Sequence, residues 1–546
     1  MSLHPESSGY IKRIDILEKI SKEHFDVFII GGGITGAGIA LDATLRGLKV
    51  CLVEKRDFAS GTSSKSTKLI HGGLRYLKNL EFGLVRNIGC ERAINHNMAP
   101  LLVYPQKMLL PLRKDGSLSP FTAGLAIKIY DWLARVPKKD RLRMLDKEET
   151  LRILPILKPI NLRGSALYTE YQTDDARLVV EIIKKASELG AVCLNYAEAE
   201  NPIFQNNKGN HKVSGYNIKC KLTGKNIQVY GHCIVSAAGP WTDSIRLKHG
   251  ANDSMLVLSR GIHIVVPAER FPLNTPVYMD VLKDPGRMIF CIPRRRHIYI
   301  GTTDIYFRGP LDEPDIPLEE IDYLIEAIHD QFNLPCNLTR QDVVAQWSGL
   351  RPLIKNPGKK STEISRKDEI KILKDGLILI AGGKLTGWRL MAKKIVNLCA
   401  QIVSKKTGQK FSMCQTEQIK LNNFVLSSYN SKDDIVDVVK DYAKQLPIQP
   451  YAAEDLVMNF GLTALQILDY AYNIYNINRN HPHPLLEAEV KYAIENEWAC
   501  YPEDYFERRT SKTYFNTNDL SKEKTLAKEY FSKYFSCKAI STHDRV

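Results

Sequence analysis

Apolar residues return at helical spacing near the start of the chain, at Ile11, Ile14, Leu17 and Ile20, and predict a short amphipathic helix over 10–22. The pattern then changes. FDVFII is a compact apolar run of strand length, and the glycine cluster GGGITG follows it directly. A helical pattern occupies Ala37 to Arg46, Gly47 ends it, and Val50 to Val53 form a second strand closing at Glu54. This strand–turn–helix–strand unit is the best-defined piece of secondary structure in the sequence.

Later segments read more coarsely. Residues 101–145 mix Leu, Pro and Tyr runs with a basic tail, PKKDRLRM. VVEIIKKASELGAVCLNY reads as a helix feeding a strand, and QVYGHCIVSAAGPW as a strand ending in small residues. IHIVVP, MIFCIP and HIYIGTTD predict strands of a second sheet, and residues 317–331 an acidic amphipathic helix. LILIAGGKLTGWRLMAKKIVNLCAQIV repeats the strand–glycine–helix form of the N-terminus. From residue 410 the chain is polar and helix-like, with no glycine cluster. There is no repeat of fixed period and no low-complexity tract.

At 546 residues the chain has room for about two or three domains. Its 44% hydrophobic and 25% charged residues are ordinary for a globular protein and exclude wholesale disorder. The net charge of +15 suits an acidic partner: nucleic acid, an anionic membrane surface or a phosphorylated substrate. It suits a merely basic, soluble surface equally well. The 11 cysteines are scattered from Cys51 to Cys537 without a CxxC pair, which argues against a zinc knuckle, a redox motif or a disulfide framework. Reduced cytoplasmic thiols and no metal site are expected. The N-terminus lacks a long apolar region, and no stretch approaches the ~18 to 20 apolar residues of a membrane span. A membrane would be met from its surface.

Gly31, Gly33 and Gly36 form G-x-G-x-x-G after a strand and at the start of a helix. The first glycine permits a tight turn, the second admits a pyrophosphate to the backbone, and the third lets helix and strand approach. The helix N-terminus offers unpaired N–H groups to the phosphates. Glu54 stands at the end of the next strand, where an acid bonds a ribose hydroxyl and disfavours the 2′-phosphate of NADP. FAD and NAD remain open at this point. GTSSKSTKLIHGGLRYL is rich in hydroxyls suited to phosphate and ribityl oxygens, or is a solvated loop; Gly382 and Gly383 follow a late strand and would bring N–H groups to a flavin ring.

Together GGGITGAGIALDA, TSSKSTKLIHGGLRYL, TDDARLV, SAAGPW, SRGIHIVVP, IGTTD, SGLRPL and GGKLTGWR resemble the FAD-dependent glycerol-3-phosphate dehydrogenases, a branch of the D-amino-acid-oxidase-like flavoproteins. They occur in the family's order over residues 26–389, and EVKYAIENEWACYPEDYFERRT is similar to its helical cap. The resemblance implies an α/β fold: a Rossmann-like FAD-binding domain, a mixed-sheet substrate domain and an all-helical C-terminal domain. The expected boundaries are 1–23 for the amphipathic helix; 24–100, 160–250 and 360–410 for the discontinuous FAD domain; 101–159 and 251–359 for the substrate domain; and 411–546 for the C-terminal domain.

The implied reaction is oxidation of sn-glycerol 3-phosphate to dihydroxyacetone phosphate by hydride transfer to FAD. Electrons then pass to a membrane quinone, or to oxygen in the related oxidases. Those oxidases carry an insertion for which the short path from IGTTD to SGLRPL leaves no evident room, so the dehydrogenase is favoured. A cytoplasmic protein at the inner face of an anionic membrane is implied, and a homodimer is left open. Gly31, Gly33, Gly36, Glu54, Thr62, Ser63, Ser64, Gly239, Gly382 and Gly383 are the expected cofactor contacts.

Arg351 in SGLRPL and Arg366 in ISRKDE match the family's phosphate-binding arginines, whose guanidinium fork meets two oxygens at once. Lys384 adds a point charge beside flavin and substrate, and Arg75 and Tyr76 resemble a pair lining the same pocket. His263 is the preferred base for the substrate hydroxyl, and with Arg351 and Lys384 it makes the expected catalytic set. His71, beside Gly72, is the competing histidine, with a loop-shaping or flavin-contact role. Taken singly, each arginine also reads as a surface ion-pair partner and His263 as a core residue.

Two departures stand out. Gly387 and Trp388 replace the family's threonine and aromatic, removing one hydroxyl from the flavin's surroundings. Arg294 to Arg296 form a basic run expected to face anionic lipid or, preferably, to cap a solvated hairpin tip. The rival readings are an oxygen-using oxidase, a flavin amine or hydroxy-acid oxidoreductase, and a basic nucleic-acid binder. The last lacks any RRM, KH or zinc-finger signature, so no nucleic-acid partner is expected.

Overall fold

The computed structural model describes residues 9–72, 82–117, 124, 128–129, 140–207, 210–355, 368–449, 451–517 and 520–536. The strand His24–Ile30 lies at the centre of a sheet and is buried on both faces, which is why FDVFII is a nearly unbroken apolar run. Strand order is Asp368–Ile372, Ile378–Gly382, Asn226–Ser236, His24–Ile30, Val50–Val53, Val192–Leu194. All neighbours run parallel except the first pair. The antiparallel hairpin Ala197–Asn207 and Asn210–Cys220 extends from Asn226–Ser236.

One face is covered by the helices Ile34–Leu45, Asp175–Glu188 and Trp388–Thr407. The helix Gly9–Lys22, present as its spacing predicts, covers the other face with Leu17 and Ile20. Trp388 is fully buried, lies where a side chain on Gly38 would collide with it, and donates from Nε1 to Asn95 Oδ1 at 2.7 Å. Trp388 thus packs its own helix against Ile34–Leu45 and ties it to Asn95.

The second sheet has the order Ile305–Tyr306, Leu256–Pro267, His297–Gly301, Met288–Arg294, Val277–Asp280, Tyr104–Arg113, Leu162–Gln172, Leu69–Ile70. Ala345–Ile354 pairs with Leu256–Pro267, and Arg143–Leu145 with Leu162–Gln172. Two of these strands, Leu69–Ile70 and Leu162–Gln172, fall inside spans expected to belong to the FAD domain; the first pairs with the second, and the second pairs on its other side with Tyr104–Arg113. Alternation along Leu256–Pro267 sorts its side chains. Ile262, Ile264 and Val266 face the helix Leu318–Gln331, while His263 and Val265 face the opposite way.

The C-terminal helices Lys432–Tyr442, Ala452–Phe460, Ala464–Ile477, Pro484–Asn496 and Leu520–Ser536 share one continuous core with the helices of the first sheet. This contact overturns the surface reading of the basic run. Arg294 is buried over Phe515 and donates to Asp174 Oδ2 at 2.7 Å; Arg295 is 4% exposed and meets Asp455 at 3.0 Å. Only Arg296 is exposed, and its guanidinium lies over Tyr451. A hairpin tip reads as solvated until another domain packs on it.

Candidate functional site

A cleft opens where the first sheet meets the N-terminus of the helix Ile34–Leu45. Of the residues singled out in the sequence, Gly31, Gly33, Glu54, Thr62, Ser63, Gly239, Gly382, Gly383 and Lys384 line it. Gly31 has φ +112°, and a Cβ there would stand 2.5 Å from the Ala237 carbonyl oxygen. Gly36 does not line the cleft; a Cβ on it would overlap Gly31 O, so it keeps helix and turn in contact. Gly33 caps the helix, whose first N–H, from Ile34, donates to Ser63 Oγ at 3.0 Å. Glu54 accepts from Gly32 N at 2.7 Å and from Arg56 N at 3.0 Å, while burial pushes its carboxyl above the ordinary value.

The hydroxyl-rich loop divides its duties. Thr62 and Ser63 line the cleft, and Thr62 also donates to Leu350 O at 2.6 Å, tying the loop to the second sheet. Ser64 is buried outside the cleft and donates to Gly61 O at 3.4 Å, a purely local bond. Sequence reasoning missed several lining groups, among them Ala197 to Ala199, Lys248 and Met391, because short or scattered side chains carry no motif. Trp241 was within reach in SAAGPW; it lines the cleft with Lys55 4.2 Å above its ring. A helix N-terminus, a glycine turn and an acid at the strand end fit a dinucleotide's pyrophosphate and ribose.

Arg75, Tyr76 and Arg366 lie outside the described residues. Arg351 and His263 stand on neighbouring strands and on one face, since Arg351 pairs with Ser259 and Trp347 with His263. Neither lines the cleft, although Pro352, next to Arg351, does so together with Lys384. Gly349, between them in register, is bare because the main chain of Lys65 rests against it. The His263 ring stacks on Trp347 with centroids 4.7 Å apart, and its Nε2 lies 3.0 Å from Thr67 Oγ1. Its Nδ1 is buried without a partner among the described residues. Burial, then Arg351 and Lys68, holds this imidazole well below its ordinary value, so it is neutral. His71 is held through its backbone, its N–H donating to Thr386 Oγ1 at 3.1 Å and its carbonyl accepting from the same hydroxyl at 3.0 Å.

The sequence family described as FAD dependent oxidoreductase matches residues 26–392, and that described as the C-terminal domain of alpha-glycerophosphate oxidase matches residues 414–538. Over 513 residues the chain is 42% identical to the aerobic glycerol-3-phosphate dehydrogenase of Staphylococcus aureus (strain MRSA252), covering 93% of this chain and 90% of that protein. The chain belongs to the FAD-dependent glycerol-3-phosphate dehydrogenase family. A solved member of the family, the glycerol-3-phosphate dehydrogenase from Bacillus halodurans complexed with FAD, superposes with a TM-score of 0.80 at 36% identity, over 97% of this chain and 94% of that one. The L-alpha-glycerophosphate oxidase from Mycoplasma pneumoniae with FAD bound gives a TM-score of 0.55 at 19% identity, over 72% and 97% of the two chains, and shares the fold. FAD is the cofactor of the protein.

Motifs that do not touch the cleft hold its surroundings together. In TDDARLV, Asp174 caps the helix Asp175–Glu188 and accepts from Ser511 Oγ at 2.6 Å, while Asp175 takes Lys68 Nζ at 2.5 Å and Ser66 Oγ at 2.6 Å. Two adjacent carboxylates thus join the hydroxyl-rich loop, the second sheet and the C-terminal domain. The C-terminal domain holds the loop again at Lys65, whose ammonium donates to Tyr514 OH at 2.6 Å.

Proposed function

We propose that the protein oxidises sn-glycerol 3-phosphate to dihydroxyacetone phosphate, FAD accepting the hydride from C2 and the electrons then passing to a membrane quinone. The observation that carries this reading is that two segments distant in sequence, at Pro352 and at Lys384, line the same cleft. The strand Ala345–Ile354 brings Arg351 beside the lining residue Pro352, and the turn after Ile378–Gly382 brings Lys384. A guanidinium fork with a neighbouring ammonium suits a phosphoester dianion, whereas a carboxylate substrate needs only one cation. The substrate's identity is carried over from the named relatives in Staphylococcus aureus and Bacillus halodurans.

In this reading Arg351 and Lys384 grip the phosphate, with Arg366, Arg75 and Tyr76 completing the pocket. His263 takes the proton of the C2 hydroxyl, and its neutral state is the one that accepts a proton. Gly382 and Gly383 present backbone to the flavin ring, and Glu54 holds the ribose. Anaerobic addition of glycerol 3-phosphate to the purified holoenzyme should bleach the flavin spectrum. An unchanged spectrum would end the proposal.

Quinone is the preferred acceptor because the described path between Asp304 and Ser348 holds only the strand Ile305–Tyr306, the α-helix Leu318–Gln331 and a single 3-10 turn, Arg340–Asp342, before the strand Ala345–Ile354 begins. Oxygen is the second reading, since residues 414–538 match a domain named for an oxidase. Hydrogen peroxide yield during turnover, with and without a quinone analogue, decides between them. Quinone chemistry places the protein against the inner face of a membrane. In this reading the contact is peripheral; no helix among the described residues is long and apolar enough to cross a membrane. Flotation with anionic liposomes should carry the protein upward, and its retention at the bottom of the gradient counts against this contact.

A further inference from the structure

The motif IGTTD has no task in the reaction as drawn, yet it adjoins residues that do. Leu256–Pro267 is the middle strand here, paired with His297–Gly301 on one side and with Ala345–Ile354 on the other. Thr302 to Asp304 leave the first of these neighbours, and Arg351 stands on the second. Both reach over Gly261 of the middle strand: a Cβ at Gly261 would collide with the Arg351 guanidinium and with the Thr302 hydroxyl. This bare position is what lets the two meet. Arg351 Nη2 donates to Thr302 Oγ1 at 2.9 Å, and Nη1 donates to Thr303 O at 3.2 Å and reaches Asp304 Oδ1 at 3.5 Å. The Asp304 side chain is only 4% exposed, and it is fixed in turn by the Ser259 hydroxyl and by Arg287 Nη1 at 3.3 Å.

We infer that Asp304 and Thr302 are positioning residues, aiming the Arg351 fork at the substrate phosphate. The inference rests on the reading of Arg351 as a phosphate ligand. A long arginine side chain loses rotamer freedom when it captures an anion, and a fork already seated on three acceptors loses less. Two guanidinium groups share the Asp304 carboxylate, and Arg287 also meets Asp284 at 3.9 Å, so the Asp304 charge is not spent on Arg351 alone.

The test uses purified, FAD-loaded Asp304→Asn and Thr302→Val beside the wild type. FAD content should match wild type. The half-saturating concentration of glycerol 3-phosphate should rise roughly 10- to 100-fold for Asp304→Asn and roughly 2- to 10-fold for Thr302→Val, the ranges expected for a charged and a neutral hydrogen bond. Competitive inhibition by inorganic phosphate should weaken in step, with a smaller effect on kcat, and Asp304→Glu should recover part of the loss. If Asp304→Asn does not fold, Thr302→Val decides alone, because it removes one hydroxyl at constant shape. Variants that fold, bind FAD and keep wild-type KM and phosphate inhibition overturn the inference while leaving the functional reading intact. A wild type that glycerol 3-phosphate fails to reduce overturns both.

Discussion

Both terminal nitrogens of Arg509 close on the Asp57 carboxylate, Nη1 to Oδ2 at 2.8 Å and Nη2 to Oδ1 at 2.9 Å, and both side chains are 0% exposed. Arg508 adds a third bond from Nε at 2.6 Å. Asp57 belongs to the segment that leaves Glu54 and runs into the cofactor loop, and the two arginines belong to the C-terminal domain. Burial alone would raise the Asp57 carboxyl; Arg509 and Arg508 outweigh it and hold it at about 2.

Arg509→Ala leaves that carboxylate buried with only Arg508 and Asn195 as side-chain partners. Breaking such a pair costs about 3–5 kcal/mol. We expect a lower denaturation midpoint and faster loss of FAD on dilution, read from flavin absorbance after gel filtration. A variant with wild-type midpoint and full FAD content would show that the clamp does not hold the loop.

Gly36→Ala and Gly387→Ala should part company. The first forces a methyl group onto Gly31 O, whereas the second meets nothing within 4 Å. Gly36→Ala should yield little FAD-loaded protein, and Gly387→Ala should stay within about 0.5 kcal/mol of wild type. Equal flavin content in the two would refute the packing role given to Gly36.

Arg351→Ala should retain FAD and lose turnover. Removing one partner of a buried charge pair costs ~2 to 5 kcal/mol, or roughly 30- to 5,000-fold in kcat/KM at ~1.4 kcal/mol per decade. Near-native kcat/KM on glycerol 3-phosphate would take Arg351 out of the site.

His263→Gln should slow anaerobic flavin reduction roughly 100- to 10,000-fold if the imidazole is the base. Its folded value lies well below 6.5, from burial first and then Arg351 and Lys68. The wild-type rate should therefore be flat through neutrality and fall only at lower pH. Stability follows the same sign. Below ~6.5 the unfolded chain binds a proton that the folded chain refuses, so stability declines as pH drops toward the folded value. The Gln variant should lose that slope. An unchanged rate and pH profile in the variant would place the base elsewhere.

The local unit from Phe25 to Glu54 was legible because its physics is local. A strand buried on both faces, a glycine turn and a helix start follow from neighbouring residues. The strands around His263, Pro293 and Ile300 were legible for the same reason. Arg294 and Arg295 were misread because nothing near them in sequence reveals Asp174 or Asp455. The packing role of Trp388 was not legible because its partners, Gly38 and Asn95, lie hundreds of residues away.

By itself the sequence determined the glycine turn, the two kinds of sheet and the helical C-terminus, all consequences of short-range periodicity and of glycine placement. Only the tertiary structure decided which charges meet. It seats Arg351 over Gly261 beside Thr302, buries Asp57 between two arginines, and assigns Leu162–Gln172 to the second sheet. Ion pairing and strand pairing act between residues far apart in the chain, so a linear pattern shows that such groups exist and leaves their partners to the fold.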